Sequence, residues 1–335
     1  MSGALFWAIL RSMTSPELTP IPMPAAAQSE TIAVFYQSPS LAPLLQALQG
    51  AWPEAQWAVW PEVAPQATKA VVWAPTQAFI DQHPHLQYLF NMGAGVDALL
   101  QLQLPEQLQV VRIEDGGMAV QMAEYVTYAV LRHVREFDHY AHSQAKAQWQ
   151  PRAMQQRADF PIGVMGLGVL GAHVAKVLAG LGFEVNGWSQ SPKQIEGVHT
   201  YAGEGELSAF LQSSRILVCL LPLTPATEGI LNRAHLQQLQ AGAYLINVAR
   251  GGHLVEADLL ALLEEGHLAG AMLDVCQPEP LPPEHPFWRH PRIALTPHIS
   301  AQTGQQEAAQ QITANARRIA SGQAPHGLVN RSGGY

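Results

Sequence analysis

Residues 161–171 read PIGVMGLGVLG, and this stretch decides the fold. Residues 162–165 form a short run without charged or polar side chains, which is typical of a strand buried on both faces. After them, apolar residues recur at helical spacing as far as Leu181. A G-x-G-x-x-G turn is weak evidence by itself, but between a strand and a helix it predicts a dinucleotide-binding site.

Each glycine of this turn has its own physical task. Gly166 permits the tight turn, Gly168 lets the backbone approach a pyrophosphate, and Gly171 lets the helix pack closely on the sheet. The helix begins with Val169 and Leu170, where unpaired N–H groups and the helix dipole attract an anion. We therefore predict that these five residues bind the phosphates of a dinucleotide.

Strand and helix patterns continue to alternate along the chain. The segments are Ile162–Met165, Val169–Leu181, Phe183–Trp188, Arg215–Leu220, Ala243–Val248 and Ala269–Val275. Such alternation predicts a doubly wound parallel sheet. Residues 31 to about 118 repeat the alternation in a smaller unit, and one long helical pattern over residues 120–144 joins the two.

These patterns predict an α/β protein with two parallel-sheet domains. The chain has 335 residues, and single cores seldom grow beyond roughly 250 to 300 residues. We expect residues 31–118 with 299–335 to form one domain and residues 119–298 to form the other. Residues 1–30 contain a stretch dense in Pro, Ser and Thr, so we expect a disordered or over-extended start, with Met13 and Met23 as alternative first residues.

Composition argues against several classes of partner. The net charge of −8 disfavours nucleic acid, and no apolar stretch reaches the roughly 18 to 20 residues of a membrane helix. Cys219 and Cys276 both lie within or beside apolar runs, which indicates buried thiols in a cytoplasmic protein. No metal-ligating His or Cys motif occurs in the sequence, so we predict no metal.

The end of the second predicted strand bears on the choice of cofactor. A dinucleotide turn is usually followed about 20 residues later by an acid that binds the ribose 2′-hydroxyl. Residues 189–193 read SQSPK instead, and Glu184 lies at the opposite end of that strand. Because Ser189, Gln190 and Lys193 would accept a 2′-phosphate that a carboxylate would repel, we predict NADP(H), with NAD(H) as the alternative.

Three polar residues follow predicted strands of the second domain, namely Arg250, Glu279 and His298. Doubly wound sheets bind ligands at the carboxyl ends of their strands. One reaction that would use all three is hydride delivery to a 2-oxo acid, which needs a cation for the carboxylate and the carbonyl oxygen and an acid to protonate the alkoxide. Arg250 and His298 fit these tasks, while Glu279 would orient the imidazole ring and stabilise its charge.

Together these features resemble the D-2-hydroxyacid dehydrogenase family over residues 31–335. The segments that carry the resemblance are Gly93–Asp97, Gly166–Gly171, Asn247–Gly251, Leu273–Val275 with Glu279–Leu281, and Thr296–His298. The resemblance implies two Rossmann-like doubly wound domains, one a flavodoxin-like substrate domain and the other an NAD(P)-binding domain. It also implies a homodimer formed through the region 120–144.

Within the family, the chain is most similar to a bacterial group of glyoxylate and hydroxypyruvate reductases. The further segments are Glu114–Met118 with Gln121–Tyr125, Trp188-Ser189 before Lys193, and Gly334-Tyr335. One departure is Gln190, which stands where that group usually has arginine and weakens the inference to NADPH. Gly252 and His253 also depart, with no evident consequence.

The resemblance further assigns roles to individual residues. Arg250 binds substrate, His298 is the acid/base with Glu279 as its partner, and the backbone amides of Ala94 and Gly95 hold the substrate carboxylate. The remaining cofactor contacts that it implies are Leu221, Pro222, Thr227, Ala249, Asp274 and His298 itself. The expected reaction is reduction of glyoxylate to glycolate and of hydroxypyruvate to D-glycerate by NADPH.

Other interpretations remain open at this point. Trp60 and Trp149 are candidates for an aromatic wall of the substrate pocket, with core or interface packing as the alternative. Another member of the family, such as a phosphoglycerate-type or formate dehydrogenase, would share the fold. The Glu279 and His298 pairing argues against formate oxidation, which in that branch of the family uses a glutamine. A nucleotide-sensing binding protein would also share the fold, because fold alone does not determine function.

Overall fold

The computed structural model describes residues 30–37, 40–331 and 333–334, so residues 1–29, 38–39, 332 and 335 lie outside the described part. It contains a five-stranded and a seven-stranded sheet, and every strand pair within them is parallel. Each sheet has an apolar cluster on both faces, as expected for parallel sheets covered by helices. The predicted fold class is confirmed.

The five-stranded sheet has the strand order β2-β1-β3-β4-β5, which is the flavodoxin-like order. Its elements are β1 (Thr31–Tyr36), α1 (Leu41–Ala51), β2 (Gln56–Val59), β3 (Lys69–Trp73), α2 (Gln77–Asp81), β4 (Tyr88–Asn91), α3 (Asp97–Leu100) and β5 (Gln109–Arg112). The order reverses between β1 and β3, and ligands of open α/β sheets bind outside such a point.

Two helices follow, α4 (Met118–Val134) and α5 (Phe137–Ala145). The expected single helix over residues 120–144 is therefore wrong. Glu136 takes a left-handed φ of 53°, which ends the helical path, and its carboxylate accepts a hydrogen bond from Arg152 at 2.6 Å. The apolar face of α4 packs into the core of the seven-stranded sheet.

The seven-stranded sheet has the order β12-β11-β10-β9-β6-β7-β8. Its elements are β6 (Ile162–Met165), α6 (Val169–Gly180), β7 (Val185–Ser189), β8 (His199–Ala202), α7 (Gly203–Gln212), β9 (Ile216–Cys219), α8 (Arg233–Leu236), β10 (Ala243–Asn247), α9 (Glu256–Glu264), β11 (Leu268–Leu273) and β12 (Ile293–Leu295). This is the Rossmann order, which reverses between β6 and β9.

The sequence patterns did not include β2 and β8. Both strands are four residues long and lie at sheet edges, and most of their side chains are partly or fully exposed. Such segments lack the apolar run or the strict alternation that marks a strand in sequence.

The chain crosses between the two sheets twice, and the crossings lie side by side. The first passes through Gly116 and Gly117, both left-handed, into α4. The second passes through Gln302 and Gly304 into α10 (Gln305–Ala320), which packs beside α1 on the five-stranded sheet. The N–H of Gly304 donates to the carbonyl of Gly116 at 2.8 Å. The side-chain amide of Gln121 bonds both the carbonyl of Gly117 and the backbone of Gln302.

In the described part of the chain, no helix has both the length and the apolar character needed to cross a membrane.

Candidate active site

One cleft of about 1650 Å³ is lined by loops that follow strands of both sheets. Most of the predicted site residues lie along it. They are Ala94, Gly95, Gly166, Gly168, Val169, Leu170, Gly171, Ser189, Gln190, Lys193, Leu221, Pro222, Thr227, Ala249, Arg250 and His298. Glu279, Asp274 and Trp60 are not among the lining residues.

The glycine turn has the close contacts that its sequence predicts. Gly166 has a φ of +108°, and a Cβ there would lie 2.7 Å from the backbone of Leu220. A Cβ on Gly171 would lie 1.8 Å from the carbonyl oxygen of Gly166, so only glycine fits. At Gly168, by contrast, nothing lies within 4 Å of a Cβ position. The open space at Gly168, beside the first turn of α6, fits a pyrophosphate that lies against the backbone.

The residues predicted to bind the 2′-phosphate of the cofactor lie in the loop that follows β7. The Ser189 hydroxyl donates to the carbonyl of Ser191 at 2.8 Å, while Gln190 and Lys193 are exposed. Glu204, on the first turn of α7, lines the same cleft, and the sequence analysis did not identify it. This end of the cleft therefore carries a carboxylate as well as the ammonium group of Lys193.

Arg250 connects the two sheets across the cleft. Its Nε donates to Asp97 Oδ1 at 3.1 Å, and its Nη1 donates to the carbonyl of Ala249 at 2.7 Å. A Cβ on Gly95 would lie 1.6 Å from Nη2, so the guanidinium occupies the place of a side chain at Gly95. Asn247, at the end of β10, fixes the Arg250 backbone by donating to its carbonyl at 3.0 Å.

The loop Gly93-Ala94-Gly95 is tied back by a buried amide. Asn91 Nδ2 donates to the carbonyl oxygens of Gly93 and Gly95, each at 2.9 Å. The N–H groups of Ala94 and Gly95 have no acceptor among the residues that the structure describes. Two free donors beside the guanidinium of Arg250 have the chemistry needed to bind an anion at this edge of the cleft.

His298 and Glu279 form the predicted pair. The His298 Nδ1 lies 2.8 Å from Glu279 Oε2, and the other oxygen of Glu279 accepts from the N–H of Cys276 at 3.0 Å. Because an ionised carboxylate only accepts, Nδ1 donates, and Nε2 is the ring nitrogen left for a ligand in the cleft. His298 has a φ of 55°, a left-handed conformation that a residue with a side chain adopts only when its surroundings hold it.

Asp274 stabilises this left-handed conformation of His298. Its side chain is 1% exposed, and its carboxylate accepts from the Thr296 hydroxyl at 2.6 Å and from the N–H groups of Ile299 and Ser300, each at 2.8 Å. The backbone N–H of His298 donates to the Asp274 carbonyl at 2.8 Å. These bonds fix the loop that carries His298, while the contact of Asp274 with the cofactor, which the resemblance implies, stays a prediction.

Tyr125 of α4 extends this network. Its hydroxyl lies 2.5 Å from Thr296 Oγ1. Burial raises the pKa of Tyr125 to about 12, so the phenol keeps its proton and can donate to Thr296, which in turn donates to Asp274. A chain of hydrogen bonds thus joins the helix between the two sheets to the loop that carries His298.

A family model and several relatives match the chain. The model described as "D-isomer specific 2-hydroxyacid dehydrogenase, NAD binding domain" matches residues 127–300. Glyoxylate/hydroxypyruvate reductase A of Yersinia enterocolitica is 46% identical over 298 residues, which cover 87% of this chain and 95% of the relative. The chain belongs to the D-isomer specific 2-hydroxyacid dehydrogenase family.

Two solved structures of the 2-hydroxyacid dehydrogenase family match nearly the whole fold. One, from Xanthobacter autotrophicus in complex with NADPH and MES, has a TM-score of 0.88 and 38% identity and covers 92% of this chain and 100% of its own. The other is a Sinorhizobium meliloti NADPH-dependent glyoxylate/hydroxypyruvate reductase in complex with NADP and sulfate, with a TM-score of 0.86, 36% identity and the same coverage. The family that the sequence motifs predicted is confirmed.

The two tryptophans proposed for the pocket of this dehydrogenase lie elsewhere. The Trp60 ring packs on Phe79 and Phe35, with centroids 5.8 and 5.9 Å apart, in the core of the five-stranded sheet. Trp149 is 97% exposed. The sequence analysis missed Asp97 as the partner of Arg250, although Asp97 ends the quoted segment Gly93–Asp97. It also missed Trp73, which lines the cleft.

In the described residues of this dehydrogenase, no group of three or more His, Cys, Asp or Glu side chains is placed to hold a metal ion.

The Asp274 network leads to a first prediction. Asp274→Asn keeps the size of the side chain but replaces one acceptor oxygen with an NH₂ group, which cannot accept from a backbone N–H. We expect kcat with a 2-oxo acid to fall about 10- to 100-fold because His298 is misplaced, while the Kd for NADPH changes little. Steady-state kinetics and fluorescence titration with NADPH measure the two effects. The surface variant Asp81→Asn is the control, and an unchanged kcat in Asp274→Asn would contradict the assigned role.

Proposed function

We propose that this chain reduces glyoxylate to glycolate and hydroxypyruvate to D-glycerate with NADPH. The observation that carries the proposal is the meeting, in one cleft, of the glycine turn, the Arg250 guanidinium and the ring of His298, which is hydrogen-bonded to Glu279. The names of the relatives, and the NADPH and NADP in the two matching structures, point the same way.

The proposed mechanism follows from the positions of the chain's own groups. NADPH supplies the hydride. The free N–H groups of Ala94 and Gly95 bind the substrate carboxylate, and Arg250 stabilises negative charge on the carboxylate and the carbonyl oxygen. His298 donates the proton at Nε2 to the alkoxide as it forms, while Glu279 at Nδ1 orients the ring and stabilises its charged form.

The two sheets divide these tasks. We assign substrate binding to residues 31–118 together with 299–335, which carry the Gly93–Gly95 loop and α10. NAD(P) binding falls to residues 119–298, which carry the glycine turn, and the match of the family model to residues 127–300 supports this division. Residues 1–30, expected to be disordered or an over-extended start, fall in the undescribed part except for Glu30.

Variants of the two charged groups test the mechanism. We expect His298→Ala to lower kcat about 10²- to 10⁴-fold with little effect on the Kd for NADPH, since general acid catalysis contributes a factor of this size. Arg250→Ala should also raise KM, because the substrate carboxylate loses its cation. NADPH oxidation with glyoxylate, hydroxypyruvate and pyruvate measures both effects.

His85→Ala changes an exposed histidine of the five-stranded domain and is the matched control. An unchanged kcat in His298→Ala would rule out its role. If the unmodified protein binds NADPH but turns over none of the three acids, the enzyme proposal fails in favour of a nucleotide-sensing protein.

The loop after β7 supports a preference for NADPH that one substitution should strengthen. We expect the unmodified protein to have the higher kcat/KM with NADPH and Gln190→Arg to raise the NADPH/NADH ratio about 10-fold, through charge-assisted bonds to the 2′-phosphate. The exposed Gln56→Arg, on the edge strand β2, controls for added charge. A clear NADH preference in the unmodified protein would refute the assignment.

We further propose a homodimer formed through α4, α5 and the segment that follows them. Several large apolar side chains are exposed along this region, and exposed apolar surface of this kind is typical of interaction sites. They are Val120, Tyr128, Phe137, Tyr140, Trp149 and Met154.

Sedimentation velocity should give twice the chain mass of 36.4 kDa for the unmodified protein, and the mass of a single chain for the double variant Tyr128→Glu with Phe137→Glu. Val63→Glu, at an exposed apolar residue elsewhere, is the control, and a monomeric unmodified protein would exclude the dimer.

We also propose a cytoplasmic location. Both cysteines, Cys219 and Cys276, are free thiols, and burial raises the pKa of each, which suits a reducing compartment. Recovery of the protein in a secreted or periplasmic fraction of its cells would refute this assignment.

A further inference from the structure

His253 is a fully buried histidine to which the proposed mechanism gives no role. It is 0% exposed and lies three residues after Arg250. Its Nδ1 lies 3.1 Å from the Arg250 carbonyl oxygen, and its Nε2 lies 3.2 Å from the Pro222 carbonyl oxygen. Pro222 follows β9 and Arg250 follows β10, and both residues line the cleft. The ring therefore connects the loops that follow two paired strands of the seven-stranded sheet.

Both partners of the His253 ring are acceptors, whereas a neutral imidazole has one N–H and one lone pair. The buried ring of His83, in the five-stranded domain, has the partners that a neutral ring needs. The N–H of Ala64 donates to its Nε2 at 3.2 Å, and its Nδ1 donates to the Phe79 carbonyl at 2.7 Å. A neutral His253 ring can donate to only one of its two carbonyls.

The other donors around His253 decide which carbonyl it binds. Burial lowers the pKa of His253 by more than the two carbonyls raise it, so the ring is neutral at neutral pH. The Arg250 carbonyl already accepts from Asn247 Nδ2 at 3.0 Å and from the backbone N–H of His253 at 3.3 Å. The Pro222 carbonyl accepts from the Thr227 hydroxyl at 2.7 Å, and its second lone pair is left for the ring. The proton therefore fits Nε2, which donates to Pro222.

The backbone that carries the ring is fixed by a neighbouring segment. The carbonyl of His253 accepts from the N–H of Leu231 at 2.8 Å, and the carbonyl of Gly252 accepts from Gly229 at 2.9 Å. The N–H of Val255 donates to the Leu231 carbonyl at 3.1 Å. These bonds hold Nδ1 beside the Arg250 carbonyl, although that contact brings two lone pairs together.

We propose that His253 is a positioning residue whose Nε2–H bond to Pro222 fixes the loop after β9 relative to Arg250. The first loop carries Leu221 and Pro222, which are predicted to contact the cofactor, while Arg250 is predicted to bind the substrate. Hydride transfer needs both reactants in one geometry, and a misplacement of about 1 Å can cost a factor of about 100 in rate. The assignment rests on the proposed function.

Two amide variants separate the bond across the loops from the local contact. The NH₂ group of a glutamine reaches the position of Nε2, and that of an asparagine reaches the position of Nδ1. We expect His253→Asn to lower kcat with glyoxylate about 10- to 100-fold, because the bond to Pro222 is lost, and His253→Gln to lower it less than about 3-fold. The Kd for NADPH should change little in either variant. Steady-state kinetics and fluorescence titration measure these effects.

His83→Asn and His83→Gln are the matched controls. His83 is 2% exposed and does not line the cleft, so the same two replacements there should leave kcat unchanged. Equal losses of kcat in the two His253 variants, or a larger loss in His253→Gln, would overturn the proposal, because lost packing would then explain the effect.

Two further measurements need no turnover. Oxalate is a dianion that cannot accept a hydride, and its calorimetric titration into the protein with NADP⁺ should show weaker binding in His253→Asn than in His253→Gln. If the unmodified protein reduces no 2-oxo acid but this order holds, the proposed function fails and the role of His253 stands. Equal oxalate affinities overturn that role. Long-range ¹⁵N NMR of the unmodified protein at neutral pH should show His253 protonated at Nε2, and protonation at Nδ1 instead overturns the proposal even if neither variant folds.

Discussion

The contact of Arg250 with Gly95 and Asp97 is the constraint on which the cleft depends. The Arg250–Asp97 ion pair is partly buried but still in contact with water, and a pair that water screens contributes about 1 kcal/mol or less, so its importance lies in position rather than in stability. Arg250 follows β10 of one sheet, and Gly95 and Asp97 follow β4 of the other. The guanidinium fills the volume that a side chain at Gly95 would take, which sets how closely the edges of the two sheets approach. The same contact places the guanidinium beside the free N–H groups of Ala94 and Gly95.

Residues whose roles come from local geometry could be predicted from the sequence. The glycine turn is encoded by spacing alone, because a strand, a tight turn and a helix follow one another within 20 residues of chain. Arg250 and His298 were found because they follow strands, and the carboxyl edge of a parallel sheet collects such residues. The break between α4 and α5 was not predictable in this way, since residues 135–136 carry no proline or glycine.

Residues whose roles come from distant contacts could not be found in this way. Asp97 meets Arg250 across 153 positions of chain, and Tyr125 meets Thr296 across 171. The sequence shows an aspartate and a tyrosine there but not their partners. The same holds for tryptophan: Trp60 and Trp73 both end or follow strands, and only packing decides that one ring enters the aromatic core while the other lines the cleft. Asp274 was recognised as a site residue, but its hydrogen bonds to Thr296, Ile299 and Ser300 could not be found from the sequence.

The paired crossings between the sheets have a mechanical consequence. The N–H of Gly304 donates to the carbonyl of Gly116, and the Gln121 amide donates to the carbonyls of Gly117 and Gln302. Because these bonds join the two connections, the connections form one hinge rather than two independent linkers. Rotation about such a hinge would change the width of the cleft through a few backbone torsions, chiefly at glycines, and would leave both cores intact. Sliding or twisting of one sheet past the other would break these bonds. These hydrogen bonds therefore favour a rotation that changes the width of the cleft over a displacement of one sheet along the other.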